Sequence, residues 1–404
     1  MIKNSIFNTN KQTIEEIRTA TPKLYEQFCE AGVIIDSLSD EIKLLQEKVR
    51  KCDDNHNEFI LHINPTLDCN FSCWYCYENH IANSRMNGET VEAVKSFITQ
   101  TLSDPEIKSF ELGFFGGEPL FHFDSIAKRI ILHSSQVCKK FGKELHIHFT
   151  SNGALLNEEM IDFLSKFSCG FQITLDGGKE SHDSTRYFKN KRGSFDIIIN
   201  NVVLLLKKGI NVILRVNYTV ENIGSVKEIL DYFISLSDDE KQFIKFDFQR
   251  VWQDKVREKD TAEIKIMEIR KVFRKNGFFV LANYIPHNVE DSCYGDKKNH
   301  LLINYDGNVF GCTARDFTDE NKIGKINSIG KICFDSEKTR VRDNAKLSKE
   351  VCRTCRIAPI CGGGCKQRAV EDMDNEECTM RYTESQINDI VLDIFEHSFL
   401  PLNQ

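Results

Sequence analysis

Between Glu58 and about Gln253 the chain alternates six times between a short run rich in Val, Ile, Leu and Phe and a longer amphipathic stretch, and this alternation restricts its fold more than any other feature. The predicted strands are Phe59 to Asn64, Phe110 to Phe115, Leu145 to Thr150, Gly170 to Leu175, Val212 to Tyr218 and Ile244 to Phe248. Helical spacing of apolar residues marks the stretches near 89–102, 124–141, 157–167, 194–208 and 223–236, as in Ile126, Ile130, Ile131 and Val137. Strand–helix units in this order give an α/β fold whose parallel sheet closes fully or partly into a barrel. Chemistry on such a barrel sits in the loops that follow the strands.

The flanks read differently. Residues 1–57 form a helical module rich in Lys and Glu: Thr21-Pro22 opens a helix with Leu24 and Phe28 on one face, Gly32 stops it before Val33-Ile34-Ile35, and a helix near 40–52 carries Ile42, Leu45 and Val49 on one side. It is either a cap on the barrel or a precursor-peptide docking site that works by strand addition. Residues 254–284 read as a linker, with a charged helix to 277 and a strand at 278–282, and residues 285–384 are dense in cysteine. Within the latter, Leu301 to Tyr305, Asp306-Gly307 and Val309 to Cys312 predict a β-hairpin. An amphipathic helix over 384–397 lies in the last segment, 385–404. With 53 Lys plus Arg against 60 Asp plus Glu, the formal charge of −7 argues against nucleic-acid or polybasic membrane partners. The chain has no run of about 20 apolar residues and no apolar stretch at its N-terminus, so a cytoplasmic location is expected.

In a reducing compartment, clustered thiols are metal ligands more often than disulfides. The loop after the first strand holds Cys69, Cys73 and Cys76, a pattern expected by chance about 0.02 times in a chain with 15 cysteines. Three local thiolates suit an iron–sulfur cluster with one iron left open, as a reactive centre requires. The alternative is a zinc site completed by a distant His80 or His62.

This loop, together with Gly116-Gly117-Glu118-Pro119 after the second strand, resembles the radical S-adenosylmethionine superfamily. The resemblance covers 58–253 and implies a partial (β/α)6 TIM-like barrel. It also implies a [4Fe-4S] cluster on the three cysteines, its fourth iron chelated by S-adenosylmethionine, and an electron donor such as flavodoxin or ferredoxin. One electron then cleaves the sulfonium to a 5′-deoxyadenosyl radical; the cofactor supplies the difficult chemistry and the protein the orientation. The same likeness assigns Gly116, Gly117 and Glu118 to the methionine end of the cofactor, with Ser151 and Asn152 of Thr150-Ser151-Asn152-Gly153 beside it. Thr174, in Thr174-Leu175-Asp176-Gly177, and Arg186, after His182-Asp183, match a hydroxyl and an arginine that contact the cofactor in peptide-modifying members. A guanidinium can grip the methionine carboxylate bidentately; the rival reading of Arg186 is a solvated loop residue. Tyr75 is expected to line the pocket and Val251 to touch the adenine.

A second constellation runs Cys293, Gly307, Cys312, Cys352, Cys355, Cys361, Cys365 and Cys378; its four-thiol core has a chance expectation of about 0.001. A zinc ribbon would leave several of these thiols idle. The spacing resembles the SPASM domain of enzymes that modify ribosomal peptides and proteins. Carried over, Cys293, Cys312 and Cys365 hold one auxiliary [4Fe-4S] cluster, and Cys352, Cys355, Cys361 and Cys378 a second, so the chain holds three clusters in all. The first auxiliary cluster is one ligand short, and Cys333, an Asp or the substrate completes it. Cys29, Cys52, Cys138 and Cys169 read as small buried hydrophobes.

The resemblance implies an enzyme that abstracts hydrogen from a ribosomally made precursor peptide and installs a thioether, carbon–carbon or ether crosslink. Sulfatase maturases of this group carry Asp where Thr313 stands and Gln where Phe115 stands, which counts against formylglycine formation. A non-catalytic, cluster-bearing scaffold is the remaining alternative. No catalytic base stands out: Asp247, Arg215 and Arg250 lie near strand ends but suit core ion pairs equally.

Overall fold

The computed structural model describes residues 14–30, 41–254, 261–281, 289 and 291–399. All six expected strands form, within one or two residues at each end: β1 (Glu58–Ile63), β2 (Ser109–Phe114), β3 (Glu144–Ser151), β4 (Ser168–Leu175), β5 (Asn211–Tyr218) and β6 (Ile244–Arg250). They pair in parallel and in chain order, and β7 (Phe279–Val280) continues the row beyond β6. The sheet also grows from β1. The expected hairpin forms as β8 (His300–Ile303) and β9 (Asn308–Phe310), and β8 pairs in parallel with β1, Leu302 opposite His62. Two strands absent from the sequence reading, β10 (Lys322–Ile326) and β11 (Ile332–Phe334), extend the edge to eleven strands. β7 and β11 are the two ends, so this is the partial barrel that the alternation implies.

β3, β4 and β5 alternate between buried and partly exposed residues, because successive side chains leave a pleated strand on opposite faces, whereas β1 is buried along almost its whole length. Phe110, Leu112 and Phe114 of β2, Ile147 and Phe149 of β3, and Phe171 and Ile173 of β4 are buried in the main hydrophobic core. Phe114, Phe149 and Phe171 are neighbours in register, with ring centroids 4.8 and 5.0 Å apart. Such stacked pairs contribute about 0.5–1.5 kcal/mol each beyond area burial. The helices Gly88–Leu102, Lys128–Phe141 and Phe195–Lys207 add Val94, Ile98, Ile130, Ile131, Ile198 and Val202 to this core. The opposite face carries Glu111, His148, Gln172, Thr174, Arg215 and Asn217, so a polar interior surrounds the site.

The stretch 223–236 departs from expectation, forming a 3₁₀ turn over Val226–Tyr232. Just before it, Thr219 and Asn222 bond each other's backbone N–H groups through their side chains, and such local bonds compete with a helical start. The unit Met1–Lys48 contains the helices Ile14–Ala20 and Pro22–Glu30 and most of Glu41–Asp53. The second starts at Pro22 as expected, but the Thr21 hydroxyl donates back to the Ile17 carbonyl. The expected Val33-Ile34-Ile35 lies outside the described residues, as does the Phe28 side chain. Among the described residues no helix is long and apolar enough to cross a membrane.

Candidate active site

A cavity of about 520 Å³ opens among the loops after the barrel strands, within the range of small-molecule sites. Cys69, Cys73 and Cys76 stand on its wall together with Tyr75, Gly116, Gly117, Ser151, Asn152, Thr174, Arg186 and Val251.

The cysteine loop is built tightly against the loop after β2. The Asp68 carboxylate accepts the N–H groups of Cys69 and Asn83, at 2.8 Å each, and pairs with Lys189 at 2.8 Å. The Asp68 carbonyl accepts Glu118 N–H at 2.9 Å, and a Cβ at Gly117 would lie 2.2 Å from that carbonyl oxygen. Only a glycine allows that backbone approach. Glu118 is fully buried and absent from the cavity wall; its carboxylate accepts the Ser151 hydroxyl at 2.7 Å, Asn152 N–H at 2.8 Å and Leu120 N–H at 3.1 Å. It ties the β2 loop to the β3 loop, and its reach to a cofactor, expected from the motif, passes through Ser151 and Asn152. Asn152 in turn donates to Asn70 at 2.7 Å, inside the cysteine loop.

Arg186 is buried, 8% exposed, so it is no solvated loop residue. One nitrogen donates to the Tyr75 hydroxyl at 2.9 Å; that hydroxyl also takes Asn217 at 3.2 Å and donates to Asp176 at 2.8 Å. Burial raises Asp176 to about 6 while Arg186 pulls the other way. Arg186 Nε is buried with no hydrogen-bond partner. An unsatisfied guanidinium N–H is costly to bury, so a cradle of this kind calls for an anionic ligand such as a carboxylate. His182 is scaffold: its ring takes Asp176 N–H at 3.3 Å on one side and meets the Ser194 hydroxyl at 3.0 Å on the other.

The donor chemistry fits clusters. Burial pushes the Cys76 thiol up to about 11 and raises Cys69 and Cys73 as well. Thiols raised in this way stay protonated at neutral pH unless metal cations replace the protons. His80 Nε2 lies 3.5 Å from Cys76 Sγ, as a zinc site would ask. Yet among the described residues no three His, Cys, Asp or Glu side chains gather as a single-ion site. The thiols instead line volumes larger than one ion.

The second constellation divides in two. Burial pushes Cys293 up to about 12, and Asp296, Cys312 and Cys365 add to the effect. Cys361 is pushed up to about 12 by burial, then by Cys378, Cys352 and Cys355. Those four line a separate cavity of about 260 Å³ with Ile357, Met380 and Ile387. Cys333 belongs to neither set. It is exposed on β11 opposite Lys325, which itself faces Asn308. Two strand spacings and four residues along the chain put it roughly 16 Å from Cys312, so the sheet rules it out as the missing ligand. Cys138 and Cys169 are buried as expected, whereas Cys52 is half-buried and Cys29 exposed on a short polar helix that offers no core.

Several groups in the wall were missed by sequence reasoning: Glu78, Glu111, His148, Gln172, Tyr294 and Trp252. Burial lowers His62 to about 3 and His148 to about 4, which keeps both rings neutral. Glu78 is pushed up to about 8 by burial, then by Asp316 and Glu118. Arg250, by contrast, is held by Asp254 at 2.8 Å, a structural pair. The signal for the interior residues was their alternation with Phe and Ile along each strand.

The family model of the radical SAM superfamily matches residues 63–233, and that of the SPASM iron–sulfur cluster-binding domain matches 293–356. The chain is a radical SAM protein with a SPASM domain. These domains imply S-adenosylmethionine and multiple [4Fe-4S] clusters. A cysteine-type anaerobic sulfatase-maturating enzyme of Clostridium novyi is 25% identical over 341 residues, 76% of this chain and 87% of that one. The radical SAM cyclopropyl synthase TigE of Paramaledivibacter caminithermalis is 22% identical over 227 residues, 52% of this chain and 45% of its own. Among solved structures, anSMEcpe with bound AdoMet superposes with a TM-score of 0.61 at 19% identity, over 85% of this chain and 97% of that one. Streptococcus suis SuiB bound to precursor peptide SuiA gives 0.56 at 14%, over 90% and 87%. At these identities the structural likeness shows the fold of the radical SAM and SPASM domains.

Proposed function

We propose that this radical SAM protein is a peptide maturase that takes hydrogen from a ribosomally made precursor and installs a thioether, carbon–carbon or ether crosslink. When bound, a cluster on Cys69, Cys73 and Cys76 supplies the electron that cleaves S-adenosylmethionine to a 5′-deoxyadenosyl radical. The orphaned Nε of Arg186, in the same cavity as those three thiols, carries the reading: Arg186 takes the methionine carboxylate. Tyr75 and Asp176 hold the guanidinium in place. Gly116 and Gly117 let the backbone close on the amino group, and Ser151, Asn152, Thr174 and Val251 line the remainder.

Tyr294 and Thr313 form the wall toward Cys293 and Cys312, so a substrate in the cavity lies between the first thiol set and one auxiliary set. The relatives support a polypeptide substrate: SuiB was solved with a precursor peptide, and the C. novyi relative matures sulfatases. Formylglycine formation is the second reading on the strength of that relative. Against it, Thr313 has no carboxylate to offer as a base, and its hydroxyl is engaged by the Tyr294 hydroxyl. Mass spectrometry of a short peptide encoded beside this gene and co-expressed with it is the test. A crosslink shows as a loss of two hydrogens (~2 Da) with both residues tied together on fragmentation. An unchanged precursor, with a sulfatase Cys or Ser converted instead, overturns the proposal in favour of the second reading.

A further inference from the structure

The register of the sheet puts Arg215 on β5 between Thr174 on β4 and Asp247 on β6, as a core ion pair would ask. That pair does not form. Asp247 Oδ1 accepts the side-chain amide of Gln249 at 2.6 Å instead, and among the described residues no hydrogen bond or ion pair holds the Arg215 guanidinium. Arg215 is half-buried and stands on the wall of the 520 Å³ cavity, whereas Asp247 does not. The other guanidinium groups of that wall are committed: Arg186 donates to the Tyr75 hydroxyl at 2.9 Å, and Arg250 is held by Asp254 at 2.8 Å. The wall carboxyls Glu78 and Glu111 make no ion pair with Arg215 either.

β5 fixes the depth of this cation. Arg215 and Asn217 leave the strand on the same face, and Asn217 reaches the Tyr75 hydroxyl at 3.2 Å, in the cradle built around Arg186. Two residues along a strand span roughly 6–7 Å, so Arg215 is rooted deeper in the barrel than that cradle, next to Thr174 and the volume left for the cofactor. A guanidinium stays charged, holds its donors in a planar fork and matches a carboxylate bidentately. Taking it partly out of water without a counter-charge is unfavourable, and an entering carboxylate relieves the cost. We propose that Arg215 anchors a carboxylate of the polypeptide substrate, from an Asp or Glu side chain or from the C-terminus, and so sets which stretch of the peptide lies beside the cofactor. The proposal rests on the peptide-modifying reading and narrows its substrate class to peptides with an acidic group close to the site of modification.

The test uses the cluster-loaded, S-adenosylmethionine-bound protein and its Arg215→Gln, Arg215→Lys and Asp247→Asn variants. The probes are the capped pentapeptides Gly-Gly-Glu-Gly-Gly and Gly-Gly-Gln-Gly-Gly, and acetylated pentaglycine with a free or an amidated C-terminus. Calorimetric titration is expected to show the parent preferring glutamate over glutamine, or the free C-terminus over the amide, by tenfold or more, and the pair that responds identifies the source of the carboxylate. The preference should vanish in Arg215→Gln, return in part in Arg215→Lys and persist in Asp247→Asn, with the affinity for S-adenosylmethionine within twofold of the parent throughout. Equal or absent binding within both peptide pairs overturns the proposal, as does a preference that survives Arg215→Gln. A tenfold loss of S-adenosylmethionine affinity in Arg215→Gln overturns it by assigning the guanidinium to the cofactor. Melting temperatures supply the remaining check: if Arg215→Gln and Asp247→Asn each lower the value and the double variant lowers it no further, the two residues are a core ion pair and the anchor is refuted. A parent that releases deoxyadenosine but shows no carboxylate preference sinks the anchor alone. A parent that shows the Arg215-dependent preference but releases no deoxyadenosine keeps the anchor and sinks the radical chemistry.

Discussion

Tyr75→Phe isolates the device that sets Arg186. The substitution removes one oxygen and keeps the ring, whose edge-to-face contact with Trp74 at 5.5 Å is unaffected. That oxygen accepts from Arg186 at 2.9 Å and Asn217 at 3.2 Å and donates to Asp176 at 2.8 Å. Without it, Asp176 loses its donor and the guanidinium is free to collapse onto that carboxylate, away from the cavity. Hydrogen bonds to charged groups contribute about 1.5–3 kcal/mol. At about 1.4 kcal/mol per decade, affinity for S-adenosylmethionine should fall roughly ten- to a hundredfold. The assay is equilibrium binding of S-adenosylmethionine to anaerobically reconstituted parent and variant, with iron content checked in both. The rate of deoxyadenosine formation at saturating cofactor should change far less than the affinity, because the arginine binds the cofactor without reacting. An affinity within twofold of the parent would refute the argument.

Further outcomes follow from the same geometry. Gly117→Ala drives a methyl group into the Asp68 carbonyl, 2.2 Å away, and overpacking of this kind costs about 1–3 kcal/mol; iron bound per chain should fall while circular dichroism keeps the barrel signal. Cys73→Ala should abolish deoxyadenosine formation, whereas Cys361→Ala should spare part of it and stop product or loosen the C-terminal domain, as read by chromatography and limited proteolysis. Full product from Cys361→Ala would contradict the role given to the auxiliary thiols. His62 and His148 titrate below the usual 6.5, at about 3 and about 4, so the folded state binds their protons less readily than the unfolded chain. Their contribution is intact above pH 6.5 and is lost as pH falls toward 4, by up to about 1.4 kcal/mol per pH unit for each ring. The double variant His62→Gln/His148→Gln should flatten the urea-midpoint profile over that window, and an unchanged slope would count against buried neutral histidines.

The barrel was legible because its strands are written in Phe, Ile, Val and Leu, at every second position in β3 and β4 and as a continuous run in β1, a local signal. The pairing of β8 with β1 was not, since it joins residues about 240 apart in sequence and leaves no periodic trace. β10 and β11, five and three residues long with Lys and Gly among them, carry too little apolar patterning to stand out. At the site, thiol spacing pointed to Cys69, Cys73 and Cys76, but spacing cannot tell a carboxylate that faces a ligand from one that faces backbone. Glu118 was therefore placed at the cofactor although its oxygens are spent on Ser151, Asn152 and Leu120. Glu78 was passed over because a lone acid after Tyr77 looks solvated, and only the tertiary fold shuts off its Oε1. The polar interior of Glu111, His148 and Gln172 was written in the same alternation as the core, and reading both faces of each strand would have exposed it.

The central claim is that the thiols of Cys69, Cys73 and Cys76 and the buried Arg186 together present S-adenosylmethionine to a one-electron reductant. It is tested most directly by quantifying 5′-deoxyadenosine after dithionite and S-adenosylmethionine are added to the anaerobically reconstituted protein. The account predicts at least one equivalent per chain from the parent and none from Cys73→Ala. Iron-replete parent protein that binds S-adenosylmethionine and releases none would contradict it.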